Sequence, residues 1–238
     1  MKIGIIGATY EEIKNIKKKC NHIKKKTIEN HNFYDGYIYN INVILVHSGI
    51  GKVFSSIMST LLIKNYLVNG IINIGSCGRF NKKLNIGDII ISDSVQYHDV
   101  NLESFGYKKN QIAGCPQTFH SYYPFVQLAQ YCSKLLKITF YIGKMISGDS
   151  FITNIKKINI KNLKKKPLSI DMESASIAQV CLFFQKPFIS IRSISDFSNN
   201  NSVFSYYKNK KKSIKNYSNL VLSMLENIKK IKLSYNKN

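Results

Sequence analysis

Tryptophan is absent from these 238 residues, arginine occurs twice and proline four times, and no stretch of about 18 uninterrupted apolar residues exists. Each absence removes a class of protein. Without the long apolar stretch, no membrane span is expected. The N-terminus, MKIGIIGATYEE, follows its short apolar run with an acidic pair. A secretory signal would carry a longer apolar region and a small-residue cleavage site, so a cytoplasmic location is expected. The five cysteines, Cys20, Cys77, Cys115, Cys132 and Cys181, are odd in number and widely separated. With no CxxC and no Cys/His pair at zinc spacing, they argue against a disulfide framework or a metal site and read as free thiols.

The shortage of arginine qualifies the loudest feature, a formal net charge of +22. Such a balance ordinarily raises nucleic acid or an anionic membrane as a partner. Here the basic residues are nearly all lysine, with only Arg79 and Arg192 as exceptions. Nucleic-acid surfaces favour arginine for its bidentate contacts to phosphate and guanine. Lysine, asparagine and isoleucine rise together along the whole chain, as in a genome biased toward A and T codons. The lysines are expected on solvated faces, and neither nucleic acid nor membrane is expected as a partner.

What is present describes one domain over residues 1–238, since no repeat and no Pro/Gly/Ser linker divides the chain and its length can bury a full core. KIGIIG at 2–7 reads as a buried first strand, and residues 11–20 place Ile13, Ile16 and Cys20 at helical spacing. GYIYNINVILVH at 36–47 reads as two strands folded about Asn40. Residues 52–66 return to helical periodicity through Val53, Ile57, Leu61 and Leu62. Strands are expected at 71–76, 87–95, 140–148 and 187–195, with helices over about 121–136 and between Asp171 and Phe184. The C-terminal run aligns Ile214, Tyr217, Val221, Met224, Ile228 and Ile231 on one stripe. The lysine-rich stretch 156–167 reads as a solvated connection. This alternation predicts an α/β domain, a central mixed twisted sheet flanked by helices. Ligands of such sheets bind beyond the carboxyl ends of the strands, and the unusual residues collect there, after positions 7, 75, 147 and 194.

Acids that persist in so basic a chain, beside glycines and strand ends, are the candidates for chemistry. They fall in GATYEE (7–12), SGDSFI (147–152), SIDMESASIA (169–178) and RSISDFS (192–198), with NIGSCG (73–78) alongside. Gly4 and Gly7 do not complete GxGxxG, and GIGK at 49–52 lacks the spacer of a phosphate-binding loop. Neither supports a nicotinamide or nucleoside triphosphate cofactor. Singly, Glu12 also fits a first-turn acid favoured by the helix dipole, Asp196 an N-cap, Ser76 a turn residue, and Phe151 and Met172 plain core.

Jointly the segments resemble the bacterial 5′-methylthioadenosine/S-adenosylhomocysteine nucleosidases of the nucleoside phosphorylase superfamily. The matching stretches are MKIGIIGA with its EE, SGIGKV at 48–53, IINIGSCG at 71–78, GDIIISD at 87–93, YHDVNLESFGY at 97–107 and GCP at 114–116. ISGDSFI at 146–152, DMESASIAQVC at 171–181 and PFISIRSISD ending at Asp196 complete the order. The resemblance spans roughly residues 1–210 and implies a nucleoside phosphorylase-like fold with no cofactor. It implies hydrolysis of the N-glycosidic bond of methylthioadenosine, S-adenosylhomocysteine and 5′-deoxyadenosine. Adenine and the thioribose would be released, in methionine salvage and removal of a methyl-cycle by-product.

By the same resemblance Glu12 activates water, Asp196 protonates adenine N7, and Glu173 binds the ribose hydroxyls. Met172 packs along the ribose, Phe151 stacks on adenine, and the backbone of Ile152 reads the purine edge. Ser76 and Arg192 orient Asp196 and Glu12, Tyr206 covers the ribose or 5′ group, and Ile50 and Gly78 complete the substrate contacts. The implied assembly is a homodimer in which Leu102 and Phe105 reach the neighbour's pocket. The stretch 102–115, with Leu102, Phe105, Tyr107 and Ile112 among polar residues, is the expected interface. The chemistry itself calls for an acid for the poor adenine leaving group, a base for water, and fixed carboxylates facing an oxocarbenium-like sugar. Thr9 and Tyr10, FSNNNS after Asp196 and the lysine-rich 153–169 depart from the family pattern. Two rival readings fit the composition. A purine nucleoside phosphorylase would need arginines around a phosphate pocket, and a nucleic-acid or noncatalytic nucleoside binder would bind with steep salt dependence.

Overall fold

A computed structural model describes residues 1–155, 158 and 166–230. Most of the lysine-rich connection and Ile231 therefore lie outside the described residues. The strands are β1 (Lys2–Gly7), β2 (Asn21–Ile28), β3 (His31–Ile38), β4 (Ile41–His47), β5 (Gly70–Arg79), β6 (Ile89–Tyr97), β7 (Phe119–His120), β8 (Phe140–Ser147), β9 (Ser169–Asp171) and β10 (Phe188–Asp196). The helices are α1 (Tyr10–Lys17), α2 (Lys52–Tyr66), α3 (Tyr123–Leu135), α4 (Ser174–Phe183) and α5 (Ser202–Asn227). No helix among the described residues is long and apolar enough to cross a membrane.

All strands belong to one mixed sheet. β1 runs parallel to β4 and β5, β5 parallel to β10, and β8 parallel to β6 and β9, while β10–β6 and β5–β9 are antiparallel. Because β10 pairs with both β5 and β6, strands β5, β10, β6, β8 and β9 form a closed circuit, from which β1, β4, β3 and β2 extend. One core lies between the sheet and α1, α3 and α5, anchored by Ile13, Ile16, Phe125, Tyr217 and Val221. The other lies under α2 and α4, around Met58, Leu62, Ala175 and Ile177. The expected stripe is buried on α5 at Ile214, Tyr217, Val221 and Met224 and continues to Ile228 just past the helix end.

Three local expectations change. Helix α1 stops at Lys17, and Cys20 lies beyond it with its thiol near the Ile16 carbonyl. The hairpin around Asn40 turns through Tyr39 and Asn40, both at positive φ, and its first strand starts earlier, at His31. On α2, Val53 and Ile57 point outward, 69% and 46% exposed, while Ser55, Met58, Ser59, Leu62 and Ile63 face inward. Serine is admitted to that inner face because Ser55 and Ser59 donate to the carbonyls of Gly51 and Ser55 in their own helix.

Candidate active site

The carboxyl ends of β1, β5, β9 and β10 open on a cavity of about 410 Å³, within the size range of small-molecule sites. It is lined by Glu12, Ile50, Ser76, Gly78, Phe151, Ile152, Met172, Glu173, Arg192, Asp196 and Tyr206, among others. Eleven of the residues singled out in the sequence thus converge. Leu102 and Phe105 do not line this cavity. Phe105 ends a short 3-10 turn, Glu103–Phe105, and is 79% exposed.

Glu12 occupies the third position of α1 and turns back onto the segment that leads from β1. Its Oε2 accepts from the Ala8 and Thr9 amides at 2.7 and 3.2 Å, and its Oε1 from the Ser76 amide and hydroxyl at 3.1 and 3.4 Å. The bond to Thr9 is the reciprocal half of a capping box. Tyr217, buried in α5, donates its hydroxyl to the Glu12 carbonyl.

Arg192, on β10 and wholly enclosed, forms ion pairs with Asp171 through Nε at 3.2 Å and with Glu173 through Nη2 at 3.1 Å. Its Nη1 also donates to the Ser76 carbonyl. This corrects the expected division of labour. Ser76 does hold Glu12, but Arg192 organises Asp171 and Glu173. Asp196 is held instead by the Ser195 hydroxyl at 3.0 Å and the Ser198 amide at 2.9 Å. Asp171 is the functional residue the sequence reading passed over. It accepts from the amides of Glu173 and Ser174 and the hydroxyls of Ser147 and Ser174, which ties the start of α4 to Arg192. Glu173 is completed by the Gly51 amide, 3.1 Å from its Oε1.

Two glycines leave room for this packing. A Cβ on Gly75 would collide with the Arg192 guanidinium and lie 2.9 Å from Glu12 Oε1, and one on Gly78 would collide with the Ser198 hydroxyl. On the rim, Lys52 pairs with Asp99 at 2.8 Å, and the Asp99 and Asp149 carboxylates accept from the amides of Asp149 and Lys52. These contacts fasten the loop that carries Phe151 to the start of α2, beside Ile50. Phe151 meets Tyr206 edge-on, ring centres 6.4 Å apart.

Burial raises the carboxyl of Asp196 above its ordinary range, against the opposing hydrogen bonds from Ser198 and Ser195. Burial also pushes Glu173 up to about 7, with Asp171 and Glu12 adding to the rise and Arg192 opposing it. For Arg192, burial works against the charge, but Asp171, Glu173 and Glu12 more than compensate and hold it protonated. The guanidinium, shared with Asp171, does not offset the desolvation of Glu173. A stability consequence follows for Glu173. Between about pH 4.5 and about 7 the folded state keeps a proton that the unfolded state releases, so this group's contribution falls as pH rises through that window. The wild type should therefore lose melting temperature relative to Glu173→Gln between about pH 5 and about pH 8. Parallel curves over that range would contradict the assignment.

A strand-end cavity with four buried carboxylates and an aromatic slot, on a sheet of this topology, defines a protein of the nucleoside phosphorylase type. The family profile described as Phosphorylase superfamily matches residues 2–226, and the chain belongs to that superfamily. Within it, the chain belongs to the 5′-methylthioadenosine/S-adenosylhomocysteine nucleosidases, a family of N-glycosyl hydrolases. It is 46% identical over 211 residues to the nucleosidase of that name from Buchnera aphidicola subsp. Baizongia pistaciae, covering 87% of this chain and 84% of the relative. It is 37% identical to the one from Staphylococcus aureus strain JH9, over 86% of this chain and 90% of the relative. The crystal structure of the Colwellia psychrerythraea nucleosidase in complex with adenine superposes with a TM-score of 0.89 at 34% identity, covering 94% of each chain.

Proposed function

We propose that this cavity hydrolyses the N-glycosidic bond of 5′-methylthioadenosine and S-adenosylhomocysteine, releasing adenine, with Asp196 as acid, Glu12 as base and Glu173 on the ribose. The observation that carries the assignment of roles is the separation of the three carboxylates into three environments. Asp196 is held by two serines and raised by burial, as a proton donor to a poor leaving group must be. Glu12 faces the cavity from the opposite segment with four donors fixing its plane, which suits a group that must aim at one water. Glu173, locked between Gly51 and Arg192, presents its carboxyl where positive charge develops on the sugar. Phe151 stacks on the base, Tyr206 covers the ribose or 5′ group, Met172 and Ile50 form the wall along the ribose and 5′ group, and Ile152 and Gly78 complete the enclosure. No cofactor is invoked.

Water rather than phosphate as the nucleophile is supported by the fate of the cations. Arg192 is enclosed by Asp171 and Glu173, and Arg79 binds the carbonyls of Lys82 and Leu84 and stacks on Phe197. Neither is disposed to hold an inorganic anion. The test is adenine release from both thioethers in phosphate-free buffer. Release only when phosphate is added would replace the hydrolase with a phosphorylase. Glu12→Gln should then lose hydrolysis by about 10²–10⁴-fold while keeping its affinity for a substrate analogue in calorimetry. An equal loss of binding and rate would mean that Glu12 holds substrate and does not activate water.

The same reading makes the enzyme a cytoplasmic homodimer, in keeping with its five unpaired cysteines. Support for the dimer comes from the outer face of α2, where Val53, Phe54 and Ile57 continue an exposed apolar stripe from Ile50. Ile50 also lines the cavity, which places a candidate interface on the border of the site. Within 102–115, Phe105 is exposed, whereas Ile112 packs partly against its own core. Phe105→Asp is expected to shift the protein toward monomer in light scattering and to raise the KM for methylthioadenosine, because an unpaired charge resists burial. A variant that remains dimeric with unchanged kinetics would remove Phe105 from both interface and pocket.

A further inference from the structure

Among the described residues that line the cavity, two are cations: Arg192, enclosed by carboxylates, and Lys210, at the rim. Lys210 follows Val203, Tyr206 and Tyr207 on α5, and this spacing puts all four on the helix face that walls the cavity. The wall is apolar and aromatic for its first turn and ends in an ammonium. That ammonium stands 5.5 Å from the centre of the Tyr206 ring and 3.9 Å from Glu11 Oε2. Glu11 is the neighbour of Glu12 on α1 and points outward, its side chain 59% exposed against 21% for Lys210. The two opposite charges are long for an ion pair; Lys210 lines the cavity, and Glu11 stands beside it on the solvent side. Neither takes part in the carboxylate network within.

The two thioethers of the proposed function differ in one chemical respect at the 5′ end. One terminates in a methyl group, the other in an α-amino acid with a carboxylate and an ammonium side by side. We infer that Lys210 and Glu11 form a subsite for a zwitterionic α-amino acid tail, Lys210 receiving the carboxylate and Glu11 the ammonium, so that the pair favours the homocysteine thioether. This rests on the proposed function, since it presumes a nucleoside seated with its 5′ group toward Tyr206. The loose pair then exchanges one internal contact for two contacts to the tail. Part of the desolvation is already met, because each charge stands beside its complement. Such a half-exposed contact discriminates modestly and is screened by salt.

The experiment measures kcat/KM for methylthioadenosine, S-adenosylhomocysteine and the analogue of the latter lacking the α-carboxylate. The wild type, Lys210→Met and Glu11→Gln are compared at low and high ionic strength. In Lys210→Met the ratio of homocysteine thioether to methylthioadenosine should fall about 3- to 10-fold, and the ratio for the carboxylate-free analogue should hold. In Glu11→Gln both tailed substrates should weaken relative to methylthioadenosine. Added salt should lower the wild-type ratio and lower that of Lys210→Met less, since only the Glu11 contact is left to screen. A ratio unmoved in Lys210→Met would overturn the inference, as would an equal fall for the analogue without its carboxylate, since packing alone would then explain it. A wild type that releases adenine from none of the three would instead overturn the proposed function, and this inference with it.

Discussion

Asp196→Asn is expected to keep the fold and to lower adenine release by about 10²–10⁴-fold, the typical cost of removing one positioned acid. The amide fits the same cradle. Its oxygen can still accept from the Ser198 amide, and its nitrogen can donate to the Ser195 hydroxyl in place of the bond now accepted from it. Neither cavity shape nor a buried charge changes for the worse. What disappears is the proton donor itself, a carboxyl whose protonated form burial favours. Adenine leaves poorly as an anion, so the loss falls on kcat, while binding of a stable analogue should persist. The check is single-turnover adenine release together with calorimetry of an analogue and a melting curve. Turnover within about threefold of the wild type would eliminate Asp196 as the acid.

Arg192→Met is expected to be the most damaging single change to stability, by about 3–5 kcal/mol, because it leaves Asp171 and Glu173 buried and unpaired. Methionine follows the apolar part of the arginine stem but supplies none of its donors. The Ser76 carbonyl loses a partner at the same time, on the residue that also fixes Glu12. A second substitution, Asp171→Asn in the Arg192→Met background, should recover part of the loss by removing one of the stranded charges. Urea unfolding of the two single variants and the double variant measures this coupling. A loss below about 1 kcal/mol in Arg192→Met would mean that the carboxylates neutralise themselves by taking up protons and that the guanidinium is not what holds them.

The strands and helices with strong periodicity were legible in the sequence, as were three carboxylates of the site, Glu12, Glu173 and Asp196. The misses have physical causes. β2 reads NHIKKKTI and is exposed on both faces, so no alternation of polarity marks it. It exists through its ladder to β3, across a turn at Glu29 and Asn30 with positive φ. β9 has three residues and owes its place to β5 and β8. On α2 the apolar residues suggested the inner face, yet hydroxyls satisfied by their own helix sit inside, and Ser55 meets Ser176 of α4 at 2.7 Å. The site's electrostatics were the least legible part. That Arg192 serves Asp171 and Glu173, leaving Asp196 to two serines, depends on which way side chains point from neighbouring strands. Chain order carries no trace of that. Ser195 and Ser198, flanking Asp196, were the signal available.

Three of the four hydrogen bonds that hold Glu12 come from main-chain amides, those of Ala8, Thr9 and Ser76. An amide is present whatever side chain its residue carries, proline excepted. Replacements at positions 8 and 9 therefore leave the aim of this carboxylate untouched so long as the chain keeps its path. Lysine, asparagine and isoleucine could accumulate over the surface of such a protein without reaching the orientation of its base. What heredity must guard here is narrow: the glutamate itself, the absence of proline from the three donors, and at Gly75 the absence of a side chain.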